Sequence, residues 1–377
     1  MPKEFVGPKT DKLLAAAETG PGTLLRTTLL LAGDVNLMNV ADPRVPFARV
    51  APALKQADVL FANLECCLYQ PAAARSAGDE GFYAPPAAGE ALSIAGFNAV
   101  GNANNVNYGA DAIRASVRRL RELGIPYTGA GADRSEASAP AIVERNGVRV
   151  GFVQRTSVYW PTNHEAGENS PGVAVIRGHT AYHVPAHKTR PEIPPMNRPG
   201  VPPAILTWAD REYLARFKED VAALRARADV VVASHHWGLH QDVLEYMTEI
   251  AHAAIDSGAD VVIGHGPHYS LPVELYRGKP IFYGLGNFSF HTGHGGRQHG
   301  DWVGMLARIV LAGEAVERVS FRFVRHNEAN ETLLSAPRDE RAALADITER
   351  SARFGTRITV EGEEAVCSAL ARDRAPV

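Results

Sequence analysis

Five β-type runs in this chain end on side chains that bind divalent cations, and that placement constrains the fold more than any bulk property. Thr28 to Ala32 stops at Gly33-Asp34, residues 58–65 end on Glu65, residues 96–104 lead into Asn105, residues 229–234 run into His236, and residues 260–264 run into His265. Helical patterns separate the runs. Residues 110–123 carry an apolar stripe at Ile113, Val117 and Leu120, closed by Gly124 and Pro126, the usual helix-stop chemistry. Two more helices are expected over 210–227 and 242–257, each feeding the next strand. Strand–helix–strand repetition predicts a layered α/β domain. Ligands of open α/β sheets bind beyond the carboxyl ends of the strands, so one rim should gather these five groups.

The remaining chain fits around that frame. Asn146-Gly147 between two β-type runs, within 141–155, signals a hairpin. A last strand, Pro280 to Tyr283, runs into Gly-Leu-Gly-Asn-Phe. Two stretches break the rhythm. Residues 161–204 are rich in Pro, His and Gly without a sustained period, which suggests a lid or substrate-binding loop. His291 to His299 is a second polar loop, dense in Gly and His. The expected organisation is an N-terminal extension (1–26), one domain (27–330) with the irregular insert 161–204, and a tail (331–377) whose helix and terminal strand or hairpin pack on the core.

Bulk properties serve mainly to exclude. A formal net charge of −3 over 377 residues offers no general attraction for nucleic acid or anionic lipid. The longest apolar run near the N-terminus, Leu29 to Ala32, is far short of the ~20 residues a membrane-spanning helix needs, and no later stretch supplies them. A soluble, cytoplasmic protein without a membrane anchor is the expectation. Cys66, Cys67 and Cys367 are odd in number, two of them adjacent, a poor disulfide framework that reads as buried thiols.

Carboxylate, amide and imidazole from several strand ends form the donor set of a hard-to-borderline divalent metal site. A bridging carboxylate can hold two such cations, which together polarise a substrate oxygen and activate water. His235 and His236 are adjacent on a strand end, so they should point to opposite faces and only one should enter the site. His252 lies in a helix and is expected to be structural, while His291 and His294 are close enough to the Gly-Asn-Phe turn to reach the site.

Six motifs then appear in order: Gly-Asp-Val-Asn-Leu (33–37), Asn-Leu-Glu (63–65), Ala-Asn-Asn (103–105), His-Trp-Gly (236–238), Gly-His-Gly-Pro-His (264–268) and Gly-Lys-Pro-Ile-Phe-Tyr-Gly-Leu-Gly-Asn-Phe (278–288). Together they resemble the signatures of the CapA, or poly-γ-glutamate capsule synthesis, family of the calcineurin-like metallophosphoesterase superfamily. The resemblance covers roughly residues 27–325. It implies a β-sandwich flanked by helices in α/β/β/α layers and two divalent metal ions, Mn, Zn or Fe. It assigns the metal to Asp34, Asn36, Glu65, Asn105, His236, His265 and His268, with Glu65 bridging, and it makes His236, His268 and the nearby His291 candidate catalytic residues.

This chain also departs from the family pattern. Val106 follows Asn105 where many members carry a histidine that protonates the leaving group, and the histidine of the closing motif stands one place early, at His265, with Gly266 before Pro267. Asn36 replaces an imidazole, which favours an oxygen-preferring cation such as Mn²⁺ over zinc.

Three functions are compatible with these residues. The first is a metal-dependent hydrolase or transferase acting on an amide, peptide or phosphoester, with an acidic peptide-like polymer or a phosphoester as substrate. The others are a metal-dependent peptide epimerase and a non-catalytic accessory protein of polymer biosynthesis. Arg155, Lys188, Arg190 and Arg297 are the cations placed to hold a substrate carboxylate.

Overall fold

The structure, a computed structural model, describes residues 26–72, 81–184, 200, 202–293, 296–298, 302–313 and 315–370. The N-terminal extension through residue 25 lies outside the described residues, as do 185–199 and 201 of the insert (with Lys188 and Arg190), His294 and His299.

Two multi-stranded sheets face each other. The first runs in the order Thr356–Glu361, Glu364–Ala369, Ala315–His326, Gly304–Ala312, Arg26–Asn36, Val59–Leu64, Ala99–Gly101 and Tyr127–Thr128, with Asn287–Phe290 also paired to Arg26–Asn36. The second runs Val273–Tyr276, Lys279–Phe282, Val261–His265, Val230–His236, Val148–Thr156 and Ala141–Arg145. Period-two alternation explains why both faces are apolar. On the first strand Leu29 and Leu31 join Val150, Val230, Val232, Val261 and Ile263 in the core between the sheets. Leu30 and Ala32 face outward, into a core shared with Leu54, Leu92, Phe97 and Leu120. Phe61 stacks on Phe152 across the sandwich at 4.5 Å. The outer face of the second sheet is covered by helices Arg211–Arg225 and Glu245–Asp256 through Phe217, Val221, Met247 and Ile250. The result is a mixed α/β architecture of two sheets flanked by helices, consistent with α/β/β/α layering.

Local chemistry sets several boundaries. Asn146 (φ 53°) and Gly147 (φ 78°) form the hairpin turn between Ala141–Arg145 and Val148–Thr156. Asp210 caps the helix Arg211–Arg225 by accepting from the main-chain N–H groups of Glu212 and Tyr213, as N-cap carboxylates do. Cys66, Cys67 and Cys367 are buried free thiols, and burial pushes the Cys66 thiol up to about 12.

The structure differs from the sequence reading in three places. The first strand does not stop before Asp34 but continues to Asn36, with a register shift between Leu31 and Asp34. The stretch 161–204 is not wholly irregular: Gly178–His183 pairs antiparallel with Ala204–Ala209 in full register. Two long strands, Gly304–Ala312 and Ala315–His326, extend the first sheet where sequence periodicity had not marked them.

Candidate metal centre

Asp34 owes its place to the glycine before it. A Cβ on Gly33 would stand 1.9 Å from the Gly286 carbonyl oxygen, so only glycine lets the two segments touch there. The contact lets the Asp34 N–H donate to that carbonyl at 2.9 Å. The carboxylate, fully buried, is then met from both sheets. Asn63 Nδ2 donates to Oδ1 at 2.9 Å and the Gly266 N–H donates to Oδ2 at 3.3 Å. His265 Nδ1 stands 3.2 Å from Oδ1 and His268 Nδ1 3.7 Å from Oδ2.

Glu65 follows the adjacent parallel strand and is equally buried. Its Oε1 lies 3.7 Å from His236 Nε2. His236 and His235 end one strand and point to opposite faces. His235 is held between Phe217 and Trp237 on the helix side, ring centroids 4.9 and 4.7 Å away, while His236 faces Glu65. The His236 tautomer follows from its neighbour. Thr156 Oγ1 gives its hydrogen to the Val158 carbonyl at 2.7 Å, so at 3.1 Å from His236 Nδ1 it accepts. The lone pair of His236 is thereby left on Nε2, toward the carboxylates.

His268, with a left-handed φ of 64°, reaches in from the loop after the His265 strand. Its Nδ1 is 2.8 Å from Asn287 Oδ1, and its side chain is 38% exposed, which marks the open side of the site. Donor atoms of Asp34, Glu65 and His268 all lie within 4.8 Å of one another.

Three other sequence candidates sit differently. The Asn36 carboxamide is engaged with main chain, Oδ1 accepting from the Met38 N–H at 2.8 Å and Nδ2 donating to the Thr292 carbonyl at 2.6 Å. Asn105 offers its main-chain carbonyl to Trp160 Nε1 at 3.2 Å, and it is Asn104 whose carboxamide enters the buried network beneath the carboxylates. His291 packs edge-on to His326 at 5.5 Å. Of the cations expected to hold substrate, Arg155 is instead buried on the helix side of the sheet, bonded to Asp220 and to the Gln154 carbonyl. Arg297 is exposed.

Residues without a role in the sequence reading also build the site. Asn63, Gln154, Thr156 and Asn287 each touch a candidate ligand or its immediate partner. Asn63 and Asn287 stood inside recognised motifs, whereas Gln154 and Thr156 carried no local signal.

The donor set fits a cation. Glu65 Oε2, His236 Nε2 and His265 Nε2 are buried without a hydrogen-bond partner, although buried polar atoms are normally paired. Burial alone would raise the Asp34 carboxyl, but His265, His268 and His236 outweigh it and hold it at about 2. Glu65 is driven the other way, well above the usual carboxyl range, first by burial and then by the negative charge of Asp34. Burial lowers His236 to about 4, so it is a neutral donor. Two carboxylates that repel each other, neutral imidazole and orphaned lone pairs together define a site that a divalent cation satisfies and a proton only half satisfies.

Comparisons with known proteins point to the same family as the motifs. The family profile described as "Bacterial capsule synthesis protein PGA_cap" matches residues 16–292. An uncharacterised protein of Sinorhizobium fredii is 27% identical over 305 residues, covering 70% of this chain and 66% of its own length. The PGA biosynthesis protein CapA of Bacillus subtilis is 29% identical over 202 residues, 52% of this chain and 43% of its own. The capsule biosynthesis protein CapA of Bacillus anthracis is 26% identical over 282 residues, 71% and 61%. This chain therefore spans less than two thirds of the length of the curated relatives it matches.

Proposed function

Because the chain belongs to the bacterial capsule synthesis protein family PGA_cap, we propose that it is a metal-dependent hydrolase or transferase acting on an amide, peptide or phosphoester. The observation that carries this reading is the convergence of Asp34, Glu65 and His268 donor atoms within 4.8 Å, beside buried nitrogens that nothing else satisfies. The cation would be held by Asp34, Glu65 and His268, with His236 and His265 completing the shell and Asn105 available to a second ion. A divalent cation there would polarise a carbonyl or phosphoryl oxygen and lower the pKa of a coordinated water.

The protein's own groups would do the rest. Asn63 and the Gly266 N–H fix the Asp34 carboxylate, and Thr156 fixes the His236 tautomer. His268 stands at the solvent side, where a substrate enters, and as a ligand would hold the cation there; His291 is the candidate to hold a proton for the leaving group. The substrate class proposed is an acidic peptide-like polymer or a phosphoester, since the Bacillus relatives carry PGA and capsule biosynthesis in their names. No helix of the described residues is long and apolar enough to cross a membrane, and a cytoplasmic location belongs to the same proposal.

One observation favours a second reading, a non-catalytic accessory of polymer synthesis. Val106 is buried in the outer core of the first sheet and cannot protonate a leaving group. Where that proton transfer is made, general acid catalysis contributes about 10²–10⁴-fold.

Metal analysis after incubation with Mn²⁺ or Zn²⁺, with a screen of γ-glutamyl peptides, phosphomonoesters and phosphodiesters, tests both readings. Enzyme activity should be abolished by Asp34→Asn and by His268→Ala in folded protein. Full rate in both variants would refute the site. Bound metal with no turnover, and a melting temperature that falls on chelation, would favour the accessory role. Deuterium uptake at Cα without cleavage would identify an epimerase instead.

A further inference from the structure

Beneath the carboxylates a buried amide relay joins the two sheets. Gln154, fully buried on Val148–Thr156 of the second sheet, accepts from the Ala103 N–H through Oε1 at 2.6 Å. Its Nε2 donates to Asn63 Oδ1 at 3.1 Å and to Ser234 Oγ at 3.2 Å. Asn63, on the first sheet, also accepts from Asn104 Nδ2 at 3.2 Å, and its own Nδ2 donates to Asp34 Oδ1 at 2.9 Å. The chain makes room for the relay: a Cβ on Gly101 would stand 2.4 Å from Gln154 Cδ and Oε1, and one on Gly129 would stand 2.9 Å from Oε1.

The relay has a direction. A main-chain N–H can only donate, so Ala103 takes the oxygen end of Gln154, and Gln154 must present N–H to Asn63. Asn63 then spends its oxygen on that donor and has N–H left for Asp34. Each amide thus has its ends assigned by a contact one step further from the site, beginning at main chain that cannot be inverted.

We propose that Gln154 is a positioning residue of the metal centre: with Asn104 it fixes which end of the Asn63 amide meets Asp34, and so holds that carboxylate correctly aimed between the sheets. The proposal rests on Asp34 being a metal ligand. Groups that orient metal ligands typically contribute about 10–100-fold to metal affinity, whereas a purely structural clamp would affect the fold alone.

Titration of the metal-free full chain with Mn²⁺ by calorimetry, with the melting temperature recorded alongside, separates the two. Gln154→Met removes both ends of the amide at similar volume and should weaken Mn²⁺ binding about 10–100-fold. Because the effect travels through Asn63, the Gln154→Met/Asn63→Ala double variant should lose no more affinity than Asn63→Ala alone, a non-additivity expected only of groups acting in series. Gln154→Glu, which keeps the Ala103 contact but presents an oxygen to Asn63, is the second variant and should weaken binding likewise if Gln154→Met does not fold. Unchanged affinity in a folded Gln154 variant, whatever its melting temperature, or losses that add in the double variant, would overturn the positioning role and leave the metal centre standing. A wild-type chain that takes up neither Mn²⁺ nor Zn²⁺ would instead overturn the metal reading itself, and the relay's role with it.

Discussion

Glu65→Gln should make the metal-free protein more stable and its metal binding worse. Glu65 is buried with Oε2 unpartnered, and its carboxyl is pushed well above the usual range by burial and then by Asp34, which remains charged. A raised folded-state pKa means that the group contributes stability below the ordinary carboxyl range and loses it as pH rises through the folded value. The amide has nothing to lose. Two unit charges at the 4.8 Å limit of the ligand cluster repel by about 3.5 kcal/mol at an effective dielectric of ~20, an upper bound because protonation intervenes. A gain of about 1–3 kcal/mol at pH 8 is therefore expected, vanishing near pH 4. An unfolding entropy of ~2.1 cal/mol/K per residue gives about 0.8 kcal/mol/K over 377 residues, so the melting temperature should rise by about 1–4 °C. Thermal melts in EDTA at the two pH values measure this. Wild type at a Mn²⁺ concentration of ~100 Kd should gain about 2.7 kcal/mol, and the variant should gain almost none. A lower melting temperature for the variant at pH 8 in EDTA, or an undiminished response to Mn²⁺, would refute the shared-charge account of the site.

Other perturbations probe the scaffold. Gly33→Ala places a Cβ 1.9 Å from the Gly286 carbonyl and should cost about 3 kcal/mol or more, read as a fall in urea midpoint at constant slope. Phe61→Ala removes half of the stacked pair between the sheets and should cost about 3–5 kcal/mol while calorimetry still detects Mn²⁺ binding. Metal-free stability should drop as pH falls from about 6.5 toward 4, because burial holds His164 and His236 down to about 4 and His235 down to about 3. The unfolded chain takes up those protons first, at about 1.4 kcal/mol per pH unit for each histidine. The Glu65→Gln background removes the opposing carboxyl, and urea melts at several pH values give the slope. His235→Phe should fill the space between Phe217 and Trp237, relieve two ring nitrogens that lack partners and raise stability by about 1–2 kcal/mol. The acid slope should then lose one proton; an unchanged slope would count against His235 as its source.

Sequence by itself determined what local periodicity and turn chemistry can encode. The alternation in Val230–His236 sends His235 and His236 to opposite faces, Asn146-Gly147 makes its hairpin turn, and Gly124 follows the helix Ala110–Glu122 whose buried face includes Ile113, Val117 and Leu120. The motif order also named the strand ends where the carboxylates and imidazoles stand. Tertiary structure decided the rest, because the deciding contacts join residues far apart in the chain. The first strand runs past Asp34 only because its register shifts against Val59–Leu64 and Gly33 abuts Gly286, which no window around residue 34 contains. That the Asn104 carboxamide turns inward depends on Asn63 and the Leu64 carbonyl on the neighbouring strand. Gln154 looks like an ordinary strand residue until the opposite sheet brings Asn63 within 3.1 Å. A ligand's identity can thus be read from a side chain, but its aim and charge are set by neighbours that only folding supplies.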